Sequence, residues 1–317
     1  MFRFLIRRLI QAGLTIFGVM LLTFVLFNLA AGDVSAEYVG PQQGAAARHD
    51  WLARHGLDRP WYEQFASHLK NSVTFQGESY QTGESLTSII AARAGYSLAL
   101  TVPGLVLGWI SAMVISCFVA YYRGTWVDRV GVLASVLGMC VPYLAYMIVG
   151  QWLVFNIYPP AAWGLRYRAN IYLPIAISVI AGLGSSVRFY RTVILDQINQ
   201  DYVRTARAKG APLTTILFKH VIRNCMLPIL TNLIMAIPFL IMGSLLLERF
   251  FGIPGVGDIL LSSITDRDVP VITGLTFLTA FVSLLGAGFG FVLASLERAA
   301  NRMSQLASHD VLTGCVN

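Results

Sequence analysis

The chain has 317 residues, 56% of them hydrophobic and 12% charged, with a formal net charge of +7 and a mean hydropathy of +0.64. A soluble domain carries roughly 25% charged residues, so this sequence holds about half of what a water-facing surface needs. That deficit excludes an ordinary cytosolic enzyme, a disordered chain and a nucleic-acid binder, and it predicts an integral membrane protein.

A membrane-crossing helix needs about 20 mainly apolar residues. Runs free of Asp, Glu, Lys, Arg and His occur at 9–31, 97–121, 130–157, 171–187, 225–247 and 271–296, which predicts six spans. The first follows Arg3, Arg7 and Arg8 as a signal peptide would. Its apolar run exceeds the roughly 7–15 residues of a signal core, so it reads as a retained helix. The polar stretch 32–96 comes next, with five Lys/Arg and seven acids. Arg123 and Arg129 mark a short second loop, and seven basic residues lie between Arg188 and Arg223. With the N-terminus inside, inner segments carry 14 Lys/Arg and five acids, and outer segments nine and 11. The positive-inside rule therefore puts both termini in the cytoplasm and 32–96 outside. Of the four cysteines, Cys117, Cys140, Cys225 and Cys315, none falls in 32–96, so no internal disulfide is expected there.

The runs contain no ionisable residue, whereas ion-coupled carriers usually place Asp, Glu, His or Arg at membrane depth. No duplicated half is visible either, so an ion-coupled secondary transporter is the weaker alternative. All five histidines lie in loops, which leaves Ser185 and Ser186 without a base for intramembrane proteolysis. A Walker A loop ends in Gly-Lys-Ser/Thr, but Lys70, Lys209 and Lys219 are followed by Asn71, Gly210 and His220. If the chain belongs to a pump, the ATPase is another chain. A membrane-anchored enzyme or receptor acting through 32–96 is the second alternative. Its only cluster, His49, Asp50 and His55, reads as a solvated helix face. No cofactor or metal site is expected.

The most distinctive segment is the inner loop 188–224. Asp201 is a plausible N-cap for a short helix on which Arg204 and Arg207 share a face at i,i+3. Gly210 can end that helix and Pro212 suits the first turn of the next, giving two helices that meet at a Gly-Ala-Pro corner. Ala206 and Ala208, small residues among arginines, fit a close docking surface. On charge alone the loop reads first as a solvated basic segment obeying the positive-inside rule.

The run Asp201-Tyr-Val-Arg-Thr-Ala-Arg-Ala-Lys-Gly210, followed by His220-Val-Ile-Arg-Asn224 and Leu227-Pro228, resembles the EAA loop of ATP-binding-cassette import permeases of the dipeptide/oligopeptide/nickel branch. Gly210 matches the motif glycine, and Arg204, Thr205 and Ala206 fill the Glu-Ala-Ala positions. Three more stretches resemble the same family: 56–61 with 63–65 and 80–84, the short loop 122–129, and Phe251-Gly-Ile-Pro-Gly-Val-Gly-Asp258 with Asp266-Arg-Asp-Val-Pro270. The last resembles an outer re-entrant segment. Departures are Leu296-Glu-Arg-Ala-Ala300 in place of a closing Asp-Pro-Arg, and only Pro159, Pro160 and Gly164 between spans three and four.

The resemblance implies an all-α type I importer permease. Its parts would be a cytoplasmic tip and first helix (1–31), a periplasmic segment (32–96), a five-helix core with the coupling loop (97–296) and a cytoplasmic tail (297–317). It implies ATPase coupling through Asp201, Arg204, Thr205, Ala206, Arg207 and Gly210. The implied partners are two ATP-binding subunits, a second, paralogous permease and a periplasmic or lipid-anchored substrate-binding protein. The implied cargo is a peptide-like solute. Among weaker signals, Gly104 with Gly108, and the Gly286–Gly290 run, read as close helix packing. Trp61, Trp126, Trp152 and Trp163 read as an aromatic belt.

Overall fold

The computed structural model describes residues 2–30, 34–40, 44–157, 171–242 and 245–308. Pro159, Pro160, Trp163 and Gly164 lie outside the described residues. The described chain is helical apart from one isolated bridge between Glu78 and Ser85. In order the helices are α1 (Phe2–Phe24, running into a π turn at Val25–Ala30), α2 (Ser35–Tyr38), α3 (Gly44–Arg54), α4 (Trp61–Thr74), α5 (Leu86–Tyr121), α6 (Trp126–Cys140) and α7 (Tyr143–Ile157). There follow α8 (Tyr172–Ile198), α9 (Asp201–Ala208), α10 (Leu213–Thr215, running through a π turn at Ile216–Val221), α11 (Ile222–Met242), α12 (Leu245–Phe251), α13 (Val256–Thr265) and α14 (Val269–Ser308).

Among the described residues, five single stretches are long and apolar enough to cross a membrane: Ile6–Phe27, Leu86–Tyr121, Tyr172–Ile198, Ile216–Ile237 and Val269–Val292. The expected third span, 130–157, is apolar enough to cross only as a bent pair of helices, which brings the number of spans to six when the pair counts as one. The two helices are α6 and α7, bent by 98°. At 15 residues each they are about 22 Å long, too short to cross the roughly 30 Å hydrocarbon layer alone. Pro142 is the cause. It has no N–H to donate, and it drives the preceding Val141 into an extended conformation with ψ 123°. Counting charge-free residues cannot see that break.

The chain divides into two compact units, residues 1–99 with 238–285 and residues 100–237 with 286–317. In unit one, Leu86 and Ile89 from the start of α5 pack with Val256 and Leu260 of α13 and with Val271, Ile272 and Leu275 of α14. Helix α5 starts well before the expected residue 97 because this core holds its first turns. In unit two, a second core joins Ala112 and Ala120 of α5, Val187, Tyr190 and Ile194 of α8, Val203 of α9 and Val221 and Ile229 beyond it. Small residues set the helix spacing there. A Cβ on Gly184 would sit 2.7 Å from the Ser135 carbonyl of α6, and one on Gly104 would sit 2.7 Å from Ser178 Oγ of α8. Gly108 faces open space, so only half of that glycine pair packs.

Candidate functional site

Helix α8 runs about three turns past the expected boundary at 187. Val187, Tyr190 and Ile194 are buried at i, i+3 and i+7, a stripe that keeps the segment helical after the charges begin. Helix α9 then repeats the pattern in eight residues. Val203 is fully buried, and Tyr202 and Ala206 pack beside it against the same core. The Tyr202 hydroxyl donates to Gln197 Oε1 at 3.0 Å, and burial raises its pKa. Asp201, Arg204, Thr205, Arg207 and Gly210 are exposed.

Two details differ from expectation. The N-cap is Gln200, in extended backbone with no side-chain cap bond. Asp201 is the first helical residue, and there its charge favours the helix dipole. Its carboxylate accepts from Arg204 at 3.2 Å, an exposed pair that contributes little stability. The small size of Ala206 serves inward packing and not the outer face.

The helix end follows the Schellman pattern. The Ala211 N–H donates to the Ala206 carbonyl at 3.2 Å and the Gly210 N–H to the Arg207 carbonyl at 3.0 Å. Gly210 has φ +77°, the left-handed conformation that pattern requires. Ile216 N–H then bonds the Pro212 carbonyl at 3.1 Å, starting the next helix. The corner read from Gly-Ala-Pro is present.

The short loop before α6 is tied to α8. Asp128 Oδ1 accepts from Arg191 Nη2 at 2.6 Å and Nε at 2.8 Å, and its Oδ2 accepts from the Gly124 N–H at 3.1 Å. Arg123 donates to Asn199 Oδ1 at 3.5 Å. Arg123, Arg204 and Arg207 line one cleft of about 280 Å³ with Tyr121, Asn199 and Leu217.

Unit one contains a second constellation, which turns on a residue that the sequence reading passed over. Glu248 is fully buried. Its Oε2 accepts from the Gly257 N–H at 2.7 Å and the Asp258 N–H at 3.1 Å. The Ser97 hydroxyl accepts from the Val256 N–H at 2.8 Å. These bonds satisfy the first turn of α13, whose own N-cap, Gly255, has no side chain. A Cβ on Gly255 would overlap the Glu248 carboxylate, and one on Gly257 would lie 2.7 Å from Leu245 Cα. The glycine motif is therefore the space that Glu248 occupies. Burial pushes the Glu248 carboxyl above its ordinary range against the bonds from Ser97, Asp258 and Gly257, and Oε1 has no partner among the described residues. The signal was available as an acid placed directly after an apolar run and shortly before three glycines.

The same unit fixes 266–270 to the 79–80 turn. Asp268 is buried and accepts from the Ser79 hydroxyl and, at 3.0 Å, from the Tyr80 N–H. Tyr38 donates to the Asp266 carbonyl at 2.8 Å and stacks on Trp51 with centroids 5.2 Å apart. His55 lies against Trp51 and Tyr80, so it is part of an aromatic cluster. Burial pushes the Tyr80 hydroxyl up to about 12.

Among the described residues the chain is helical, with a short amphipathic helix between two candidate spans, an arrangement that fits an importer permease. The chain belongs to the family described as binding-protein-dependent transport system inner membrane component, whose model matches residues 104–302. A model for the N-terminal part of such membrane components matches residues 1–101. The dipeptide transport system permease protein DppB of Bacillus subtilis (strain 168) is 30% identical over 290 residues, covering 90% of this chain and 93% of the relative. The glutathione transport system permease protein GsiC of Shigella boydii serotype 4 (strain Sb227) is 32% identical, covering 86% and 90%. The oligopeptide transport system permease protein AppB of Bacillus subtilis (strain 168) is 28% identical, covering 89% and 94%. The protein is a multi-pass permease of the inner membrane with the type I importer fold.

Proposed function

We propose that this permease carries peptides or chemically related small solutes as one half of an ATP-driven pathway. A second, paralogous permease forms the other half, two ATP-binding subunits supply the energy, and a substrate-binding protein delivers the solute. Both termini and 188–224 face the cytoplasm, and 32–96 faces outward. The solute class is supported by relatives named for dipeptide, oligopeptide and glutathione transport.

The observation that carries the coupling role is the geometry of α9. Val203 anchors it in the unit-two core, the Gly210 corner fixes its end, and Asp201, Arg204, Thr205 and Arg207 are exposed. A rigidly held helix with an exposed polar face transmits a push from a partner to α8 and α11, which share its core. The chain itself hydrolyses no ATP on this reading.

A photo-crosslinking amino acid at Thr205 tests the assignment. It is expected to capture an ATP-binding subunit, whereas the same probe at Glu63 in 32–96 captures none. An active complex in which position 205 never crosslinks to the ATPase would contradict it.

A further inference from the structure

We propose that unit two holds an anionic phospholipid where the second span ends, with the phosphate in the Arg123 cleft and one acyl chain in an adjoining apolar groove. The groove has a volume of about 450 Å³ and is lined by Val114, Cys117, Phe118, Tyr122, Phe218 and Ile222, among others. Val114, Phe118 and Phe218 are 62%, 55% and 67% exposed, so none of the described residues covers it. From Val114 to Tyr121, the last residue of α5, it follows about 10 Å of that helix, which takes it from the end of the span into hydrocarbon depth.

The groove adjoins the arginine cleft. Tyr121 and Leu217 line both. One side of Tyr121 is therefore apolar, and the other carries the guanidinium groups of Arg123, Arg204 and Arg207. Carboxylates nearby are already engaged: Asp201 pairs with Arg204 and Asp128 with Arg191. Arg123 and Arg207 form no close ion pair among the described residues; Arg123 adds to the field at Asp128, whose carboxylate is held by Arg191. Tyr121 and Tyr122 are amphipathic side chains of the kind found at the headgroup level, and basic pockets between helices at that level suit anionic headgroups. An apolar protein helix would fill the groove and leave the three cations of the adjoining cleft unmatched. An amphiphile with one negative headgroup matches both halves.

The purified permease complex is washed in detergent, and retained phospholipids are extracted and quantified by mass spectrometry. Wild type is expected to keep about one anionic phospholipid per permease chain. Arg123→Gln is expected to lower that amount about five-fold, the usual contribution of one basic residue near the surface. Val114→Trp, which fills the groove without touching charge, is expected to lower it comparably. Arg129→Gln, an exposed basic residue outside the cleft, keeps the lipid. Unchanged retention in both Arg123→Gln and Val114→Trp overturns the proposal, as does a wild type that keeps no lipid or only zwitterionic lipid. A photo-crosslinker at Val114 that captures a protein chain and no lipid overturns it as well. Wild-type elution of the variants on size exclusion establishes that they are folded.

Discussion

Gly210 offers a perturbation whose cost is almost purely conformational. Its φ is +77°, and nothing lies within 4 Å of the position a Cβ would take. A substituted side chain therefore meets no neighbour, and the whole effect comes from holding an L-residue in left-handed backbone. That costs about 1–2 kcal/mol for an ordinary residue and up to about 3 kcal/mol for a poorly suited one. Asn tolerates this region, whereas β-branched residues are outliers there. Substitution should thus rank Asn mildest, Ala intermediate and Val worst. Gly210→Val is expected to lower the population of the native corner by a factor of about 10 or more, since each 1 kcal/mol is about a factor of five. The corner is exposed, so membrane insertion is unaffected. The assay is co-purification of the ATP-binding subunits, with solute uptake, from membranes holding equal amounts of each variant. Both should fall in the order Asn, Ala, Val. Equal coupling by the Val and Asn variants would refute the backbone argument, and so would equal failure of all three.

Glu248→Gln removes a buried charge but keeps an acceptor for the Gly257 and Asp258 N–H groups. Because burial raises the folded pKa of Glu248, its contribution to stability is complete below the ordinary glutamate value and is lost as pH rises through the folded one. The Gln variant should be the more heat-stable at neutral pH and lose that advantage on acidification; a gap that does not change with pH would disprove this. Asp128→Ala strands the half-buried Arg191 guanidinium and should cost about 1–3 kcal/mol, read as a fall in Tm that Arg191→Met in the same chain largely relieves; no relief would show that the pair is not the cause. For topology, Ser35 and Ser72 are buried, so cysteine labelling belongs at exposed Thr82 and Thr125. Impermeant reagent should reach position 82 in intact cells and position 125 only after permeabilisation, and labelling of 125 in intact cells would reverse the orientation.

The helices, their apolar runs and the Gly210 corner were legible because each leaves a local mark: a charge-free stretch, or a glycine after a basic helix. Helix ends were less legible. α8 continues past Arg188 because Val187, Tyr190 and Ile194 are buried together, a periodicity that a charge count does not weigh. The break at Pro142 was written in one residue, yet the surrounding run is apolar enough to hide it. Glu248 was missed for a different reason. Its partners are two backbone N–H groups and a serine 151 positions earlier, and no local pattern announces a bond of that span. Asp128 and Arg191 likewise sit in separately recognisable motifs, but their pairing exists only once α6 packs on α8.

On the proposed function, transport by this chain depends on ATP hydrolysed by its partners. The most direct test is solute uptake into proteoliposomes, comparing the permease alone under a proton or sodium gradient with the assembled complex given ATP and binding protein. Uptake is expected only in the complex, only with hydrolysable ATP, and not after an ion gradient is imposed on the permease alone. Accumulation by the permease alone, driven by the gradient, would contradict the account.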